Sequence, residues 1–335
     1  MTTVKCTVLG TGAWGTTLAQ IIVDAGNDPL MWGRNREVVN EINTSHTNSK
    51  FLGEVELDSR IRATTDIEEA MGYSDLILLA VPAQTLRENI ELWRDYLTHE
   101  KKIISTLKGI EADSFKRMTE IIEEELQFPR ENLGLITGPN LAGELILRQP
   151  AGAVAASTSP LVVDQMIELL TNPYFRVYPS HDLVGCELAG ATKSVIALAV
   201  GMSIGLGYGE NTQSMIITRG LGEVARFGIG YGANPLTNLG LAGMGDLVAS
   251  CGSPLSRNRT FGEALGRTGS MQEARAIMPK TVEGVASARA IRELAHRVGV
   301  EVPIIEVVSD VVSGVMNPTA AMEHLMSVSL RAELT

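Results

Sequence analysis

The stretch Val4-Lys-Cys-Thr-Val-Leu-Gly10-Thr-Gly-Ala-Trp-Gly15 decides the fold. Val4 to Leu9 is short and apolar, as a buried strand is. It runs directly into Gly10-Thr-Gly-Ala-Trp-Gly15, a G-x-G-x-x-G loop, and residues 13–26 then fit a helix closed by Gly26 in a left-handed cap. Each glycine of the loop has its own task. Gly10 makes the tight turn, Gly12 lets the backbone approach a pyrophosphate, and Gly15 lets the helix pack closely on the strand. The helix amino end presents free N–H groups to an anion. In this setting the loop predicts dinucleotide binding; the plainer alternative is a glycine-rich structural turn.

Working outward, the first half alternates strands and helices. Pro29–Trp32 reads as a second strand and Ile61–Thr64 as a third, with Asp66 capping a short helix that ends near Gly72. Asp75-Leu-Ile-Leu-Leu-Ala-Val81 is a continuous apolar run, typical of a parallel sheet covered on both faces. Further strands are predicted at Lys102–Ser105, Leu133–Thr137, Ala151–Ala156 and Phe175–Tyr178, with helices around 84–97, 140–147 and 164–170; residues 113–126 read as amphipathic and acidic. This is the pattern of a doubly wound, Rossmann-like α/β sheet. Beyond residue 180 the strands stop and long runs of small and apolar residues take over. Two domains are expected, 1–180 dinucleotide-binding and 181–335 all-α.

The 335 residues carry 44% hydrophobic and 20% charged side chains, an ordinary globular composition, and a formal net charge of −11. That sign argues against nucleic-acid binding, so any phosphate site must be a local basic cluster. Cys6, Cys186 and Cys251 form neither a disulfide framework nor a metal-ligand pattern and suit a reducing cytoplasm. The amino terminus reads as a strand and not a signal peptide. The apolar run from Ser194 to Tyr208 is short for a bilayer span and broken by glycines, so a buried helix and no membrane anchor are expected.

The polar residues that interrupt this pattern suggest the chemistry. After Trp32 the chain reads Gly-Arg34-Asn-Arg36, with no carboxylate for a ribose diol. A guanidinium there pairs with a 2′-phosphate, which favours NADP(H) over NAD(H), with Arg34 the better candidate and Arg36 either a second contact or a solvated side chain. Lys108 follows a strand at the carboxyl edge of the sheet. Gly138-Pro-Asn140 follows another and opens a helix. Leu239–Asp246 reads as a glycine-rich turn, and Ser256-Arg-Asn-Arg259 stands before a helix. Lys193 is the one charge between Glu187 and Glu210. Each has a plain structural alternative: a solvated loop lysine, a turn-shaping pair, a helix cap, a surface turn, a snorkelling lysine. Together they read as a phosphate clamp, a polarising lysine, a carboxylate and a semi-buried lysine, an inventory suited to oxidation of a small phosphorylated alcohol.

With Trp32-Gly-Arg34, Lys108-Gly-Ile-Glu111, Glu187-Leu-Ala-Gly-Ala-Thr-Lys193, Ile217-Thr-Arg-Gly-Leu221, Gly243-Met-Gly-Asp-Leu247, Ser256-Arg-Asn-Arg259 and Val282-Glu-Gly284 added to the glycine loop, the chain resembles the soluble bacterial NAD(P)-dependent glycerol-3-phosphate dehydrogenases nearly end to end. The resemblance implies interconversion of sn-glycerol 3-phosphate and dihydroxyacetone phosphate for phospholipid synthesis, a helical substrate domain and a homodimer. It implies Lys193 as the proton acceptor in oxidation. It implies Lys108, Gly138, Asn140, Asp246, Ser256, Arg257 and Asn258 around the substrate. Cofactor contacts would fall at Ala13, Trp14, Arg34 and Lys108, and at Ala142, Arg257, Thr281 and Glu283. The chain departs from the family pattern at Ser194 (often Asn), Ala13 (often Ser), Asn140 (often Ser or Thr) and Gly143 (often larger and basic).

On this reading an apolar setting destabilises the Lys193 ammonium and fits the amine to exchange a proton with the substrate oxygen, while Asp246 orients it and opposes that shift. Two rivals remain at this point. One is a two-domain reductase of the β-hydroxyacid or ketopantoate type, which needs no phosphate clamp. The other is a non-catalytic NADP(H) sensor, which has no reason to keep Lys108, Lys193 and Asp246 together.

Overall fold

The computed structural model describes residues 3–279 and 281–327. The chain packs as two compact units. One comprises Met1–Leu107 with Met118–Leu183, the other Lys108–Arg117 with Val184–Thr335.

The first unit is one eight-stranded sheet. In chain order its elements are β1 (Lys5–Leu9), α1 (Ala13–Asp24), β2 (Asp28–Trp32), α2 (Arg36–Ser45), α3 (Ser49–Leu52), β3 (Arg62–Thr64), α4 (Ile67–Tyr73) and β4 (Leu76–Leu79). Then come α5 (Leu86–Trp93), β5 (Lys102–Ser105), α6 (Met118–Leu126), β6 (Leu133–Thr137), α7 (Ala142–Leu145), β7 (Ala151–Ala156), α8 (Pro160–Leu170) and β8 (Phe175–Ser180). The strand order is β3-β2-β1-β4-β5-β6-β7-β8. All neighbours are parallel except β6 and β7. Because side chains alternate along a strand, the apolar runs feed two cores. Cys6, Val8, Leu76, Leu78 and Ile104 enter one, and Leu9, Ile77, Leu79 and Ile103 the other. The order reverses between β1 and β4, the switch point where open α/β sheets place ligands, and the glycine loop leaves β1 there.

Three differences from the sequence reading matter, and two of them come before residue 183. The span between Trp32 and Ile61 holds α2 and α3, for which no element was predicted. Asn35 caps α2, its Oδ1 accepting the N–H groups of Glu37 and Val38, while Val38, Val39 and Ile42 form the buried face. The amphipathic segment 113–126 is helical only from Met118. Before it the chain turns back on itself, pairing Ile110 with Arg117 and taking Phe115 through φ +61°.

The second unit is helical. Its elements are α9 (Leu183–Gly205), α10 (Glu210–Gly230), α11 (Asp246–Gly252), α12 (Arg257–Thr268), α13 (Met271–Ile277), α14 (Glu283–Arg297), α15 (Pro303–Val312) and α16 (Pro318–Ser327). Helix α9 is long and apolar enough to cross a bilayer, with mean hydropathy 1.6, but 89% of its apolar window is buried inside the protein. It is the central core helix. Its two charges are both paired: Glu187 accepts from Arg117 at 2.7 Å, and Lys193 meets Asp246.

A glycine seam joins α9 to α12. A Cβ at Gly201 would lie 2.1 Å from the Arg259 carbonyl oxygen, and one at Gly262 would lie 2.3 Å from that of Leu198. Gly205 and Gly266 repeat the contact one turn on. The backbones touch, and the Ser256–Asn258 end of α12 is thereby held along the Lys193 helix. The segment before Asp246 is a correction as well. Leu241–Gly245 is a wide helical turn, closed by Gly245 N–H to Gly240 O at 3.1 Å, that runs straight into α11. Gly243 makes this possible, since a Cβ there would lie 2.5 Å from Asn238.

Candidate active site

In the first unit the glycine loop has the shape its sequence requires. Gly10 adopts φ +131°, and a Cβ on it would lie 2.4 Å from the Ala80 carbonyl oxygen. A Cβ at Gly15 would lie 2.0 Å from Gly10 O, so the helix can start here only without a side chain. Gly12 differs: a Cβ there would meet nothing within 4 Å. That open side, above the first amides of α1, is a cradle that fits a pyrophosphate. Ala13 and Trp14 begin α1, partly exposed. The Ala142 carbonyl lies beside α1, 3.5 Å from Thr17 Oγ1.

Arg34 stands exposed just past the end of β2, with no ion pair among the described residues. The nearby backbone is tight, because a Cβ at Gly33 would lie 2.3 Å from Thr11 Oγ1. Arg36, also exposed, opens α2. At the carboxyl end of β6, Gly138 takes φ +129°. Asn140 has both side-chain polar atoms buried without a hydrogen-bond partner among the described residues. Such orphaned groups are costly unless something else satisfies them, which is the mark of a ligand-facing amide. Thr137 Oγ1, at the end of the same strand, is orphaned too.

The second unit brings the predicted charges together. Asp246 is 2% exposed and opens α11. Its Oδ1 accepts from Lys193 Nζ at 2.8 Å and its Oδ2 from Lys108 Nζ at 2.6 Å. Lys193 also donates to Ser250 Oγ at 2.6 Å, and Ser250 lies 3.4 Å from Asp246 Oδ1. Sequence reasoning missed Ser250. Its spacing, four residues after Asp246 and so on the same helix face, was the available signal. An ammonium has three N–H donors, and Lys193 uses two of them among the described residues. One carboxylate serves two amines, so the cluster is net positive when both are protonated.

Burial, and secondarily the neighbouring Lys193 charge, depress Lys108 to about 8 against the pull of Asp246. Burial alone would raise Asp246, but Lys108 and Lys193 outweigh it and hold the carboxyl below its usual range. The adjacent Cys251 is pushed up to about 12, chiefly by burial, so it stays a protonated thiol.

The third group gathers around the amino ends of α12 and α14. Ser256 caps α12 by accepting the Arg259 N–H at 3.4 Å. Arg257 donates to the Thr281 carbonyl at 3.1 Å, and Asn258 accepts the Gly284 N–H at 3.0 Å. Arg257 and Asn258 thus meet the Thr281–Gly284 segment, with Glu283 at the start of α14. A Cβ at Gly284 would lie 2.5 Å from the Ser194 carbonyl oxygen, so this group adjoins the residue after Lys193.

A Rossmann-like sheet with an open glycine cradle, followed by a helical unit holding a buried lysine–carboxylate cluster, defines a nicotinamide-dependent oxidoreductase acting on a CH–OH group. The family models for the NAD-dependent glycerol-3-phosphate dehydrogenase N-terminus and C-terminus match residues 5–162 and 182–323. A glycerol-3-phosphate dehydrogenase [NAD(P)+] of Streptomyces griseus is 46% identical over 330 residues, 98% of each chain. Its counterpart from Thermobifida fusca is 46% identical with the same coverage. Among solved structures, glycerol-3-phosphate dehydrogenase from Coxiella burnetii superposes with a TM-score of 0.91 at 30% identity, covering 97% of this chain and 99% of that one. The chain belongs to the NAD-dependent glycerol-3-phosphate dehydrogenase family.

Proposed function

We propose that this chain reversibly reduces dihydroxyacetone phosphate to sn-glycerol 3-phosphate for glycerophospholipid synthesis, using NADP(H) in preference to NAD(H). The observation that carries this reading is the Lys193–Asp246–Lys108–Ser250 cluster, in which Lys193, Asp246 and Ser250 are buried and Lys108 is partly exposed. A sensor that only bound a dinucleotide would have no use for two amines gathered on one buried carboxylate.

Gly10, Gly12, Ala13, Trp14 and Gly15 would hold the dinucleotide pyrophosphate, and Arg34 the 2′-phosphate. Lys108, Ala142, Arg257, Thr281 and Glu283 would complete the cofactor contacts. When bound, the nicotinamide supplies or accepts a hydride at the substrate carbon. Lys193 would give the carbonyl oxygen its proton during reduction and take it back during oxidation, through the N–H that Asp246 and Ser250 leave over. Asp246 and Ser250 fix the direction of that N–H. Lys108, cationic below about pH 8, would polarise the same oxygen. Asn140, Gly138, Ser256, Arg257 and Asn258 would grip the substrate, its phosphate included, turning remote binding energy into alignment of the reacting carbon.

On this reading residues 1–180 bind the dinucleotide and 181–335 the substrate, with the segment 108–117 serving the second role. The protein would act in the cytoplasm as a homodimer on small molecules, without nucleic acid or a membrane anchor. The test is the loss of NADPH absorbance with dihydroxyacetone phosphate, run beside phosphate-free dihydroxyacetone, 2-oxo acids and ketopantoate. Rapid turnover confined to the phosphorylated ketone is expected. Preference for a phosphate-free substrate would overturn the assignment.

A further inference from the structure

Asn48 occupies the position before α3 where an asparagine ordinarily caps a helix, yet its side chain makes no cap bond. Glu41 does that work instead, its Oε1 accepting the Ser49 N–H at 2.7 Å and the Thr47 hydroxyl at 2.8 Å. Released from capping, the Asn48 side chain turns inward and is wholly buried. Its Nδ2 donates to the Thr11 carbonyl at 3.0 Å and to Thr16 Oγ1 at 2.8 Å. Both amide protons are therefore used, and both go to residues flanking the Gly12–Gly15 cradle. Thr11 lies on the entry side, inside the glycine loop, and Thr16 in the first turn of α1.

Asn48 Oδ1 is buried with no hydrogen-bond partner among the described residues, a placement that costs free energy. On its other side Thr11 is pressed against Gly33, where no Cβ could fit. The loop is thus held from two directions, by Asn48 and by the end of β2.

We infer that Asn48 is a positioning residue for dinucleotide binding, clamping Thr11 and Thr16 so that the α1 amides stay aimed at the pyrophosphate. This rests on the dinucleotide reading above. Because the pyrophosphate is common to both cofactors, Asn48 acts on NADPH and NADH alike, unlike Arg34. It touches no reacting atom, so it governs affinity and not the chemical step.

The test compares wild type, Asn48→Asp, Asn48→Ala and Thr16→Val as full-length protein. Dissociation constants for NADPH, NADH and ADP are read by titration, and kcat is read at saturating NADPH. Asn48→Asp keeps the shape but removes both donors, so all three constants should rise together, by about tenfold, with kcat within about twofold of wild type. Thr16→Val removes one acceptor and should raise them by a smaller common factor; it decides the matter if the Asn48 variants fail to fold. Unchanged constants in a folded Asn48→Asp protein, or a loss confined to NADPH or to kcat, would overturn the inference while leaving the dinucleotide reading intact. Wild-type protein that binds none of the three ligands would overturn that reading, and the inference with it.

Discussion

The Lys193 amine and the Asp246 carboxylate meet at 2.8 Å in a site where the two residues are 8% and 2% exposed. Neither group is free to turn to solvent for a partner, so the direction of the amine is set by the carboxylate. Lys193→Ala should therefore cut turnover by about 10³ or more. Dissociation constants for NADPH should stay within about threefold, because the glycine cradle belongs to other elements. Steady-state kinetics beside a binding titration checks both halves, and near-wild-type turnover would refute the assigned role.

Asp246→Asn removes the one carboxylate shared by two amines. Breaking a buried pair this way costs about 3–5 kcal/mol, read as a shift in the urea midpoint. The pH dependence has a defined sign. The carboxyl is held below its usual range in the folded protein, so its stabilisation is present above the unfolded value near 3.8 and disappears as pH falls through the folded value. The variant should lose that part of the acid-side slope.

Lys108 predicts an alkaline limb. Its folded value of about 8 lies below the ordinary 10.5, first because of burial. Above about pH 8 the polarising cation is lost, so kcat/KM for ketone reduction should fall there by up to tenfold per pH unit. Stability should move the other way: between about 8 and 10.5 the unfolded chain binds more protons than the folded one, so this group makes folding more favourable as pH rises. Replacing Lys108 with Met should lower activity throughout and remove the fall that sets in near pH 8. A wild-type profile flat from pH 7 to 10 would contradict the polarising role.

Arg34→Ala should weaken NADPH by about 10–100-fold and NADH by less than about threefold, since a guanidinium–phosphate pair is made only with the 2′-phosphate. Equal losses would argue against that pairing. Competitive titration with 2′-phospho-ADP-ribose and ADP-ribose isolates the same difference without turnover.

Gly262→Ala tests the seam between α9 and α12. A methyl group placed 2.3 Å from the Leu198 carbonyl oxygen must push the two helices apart. About 1–3 kcal/mol of stability should be lost, measured by denaturant unfolding. Turnover should fall as well, because α12 carries Arg257 and Asn258.

Much of this was legible in the sequence where the signal is local. The β1–loop–α1 unit follows from glycine spacing beside a short apolar strand, and the two-faced core follows from the unbroken apolar run in residues 75–81. Lys193 and Asp246 stood out because a charge in an apolar helix and a carboxylate in a run of glycines are rare. Helix α2 was missed although Asn35, Val38, Val39 and Ile42 carry its cap and buried face; ten residues with so many polar side chains gave only a faint period. The antiparallel turn of β7 had no marker, since Ala151–Ala156 reads as a strand in either direction. Asn48 was invisible for another reason. An asparagine before a short helix reads as a cap, and only the folded chain shows its amide aimed at Thr11 and Thr16.

The backbone passes between the two units at Leu107–Lys108, at Arg117–Met118 and at Leu183–Val184. A gene fusion that exchanged helical halves between relatives at residue 183 would therefore carry Lys108 and Arg117 on the donor of the sheet, while Asp246 and Glu187 came from the other parent. Such chimaeras would draw the two members of each ion pair from different parents. Moving residues 108–117 along with the helical half should restore them, so the exchangeable cassette is discontinuous in the gene.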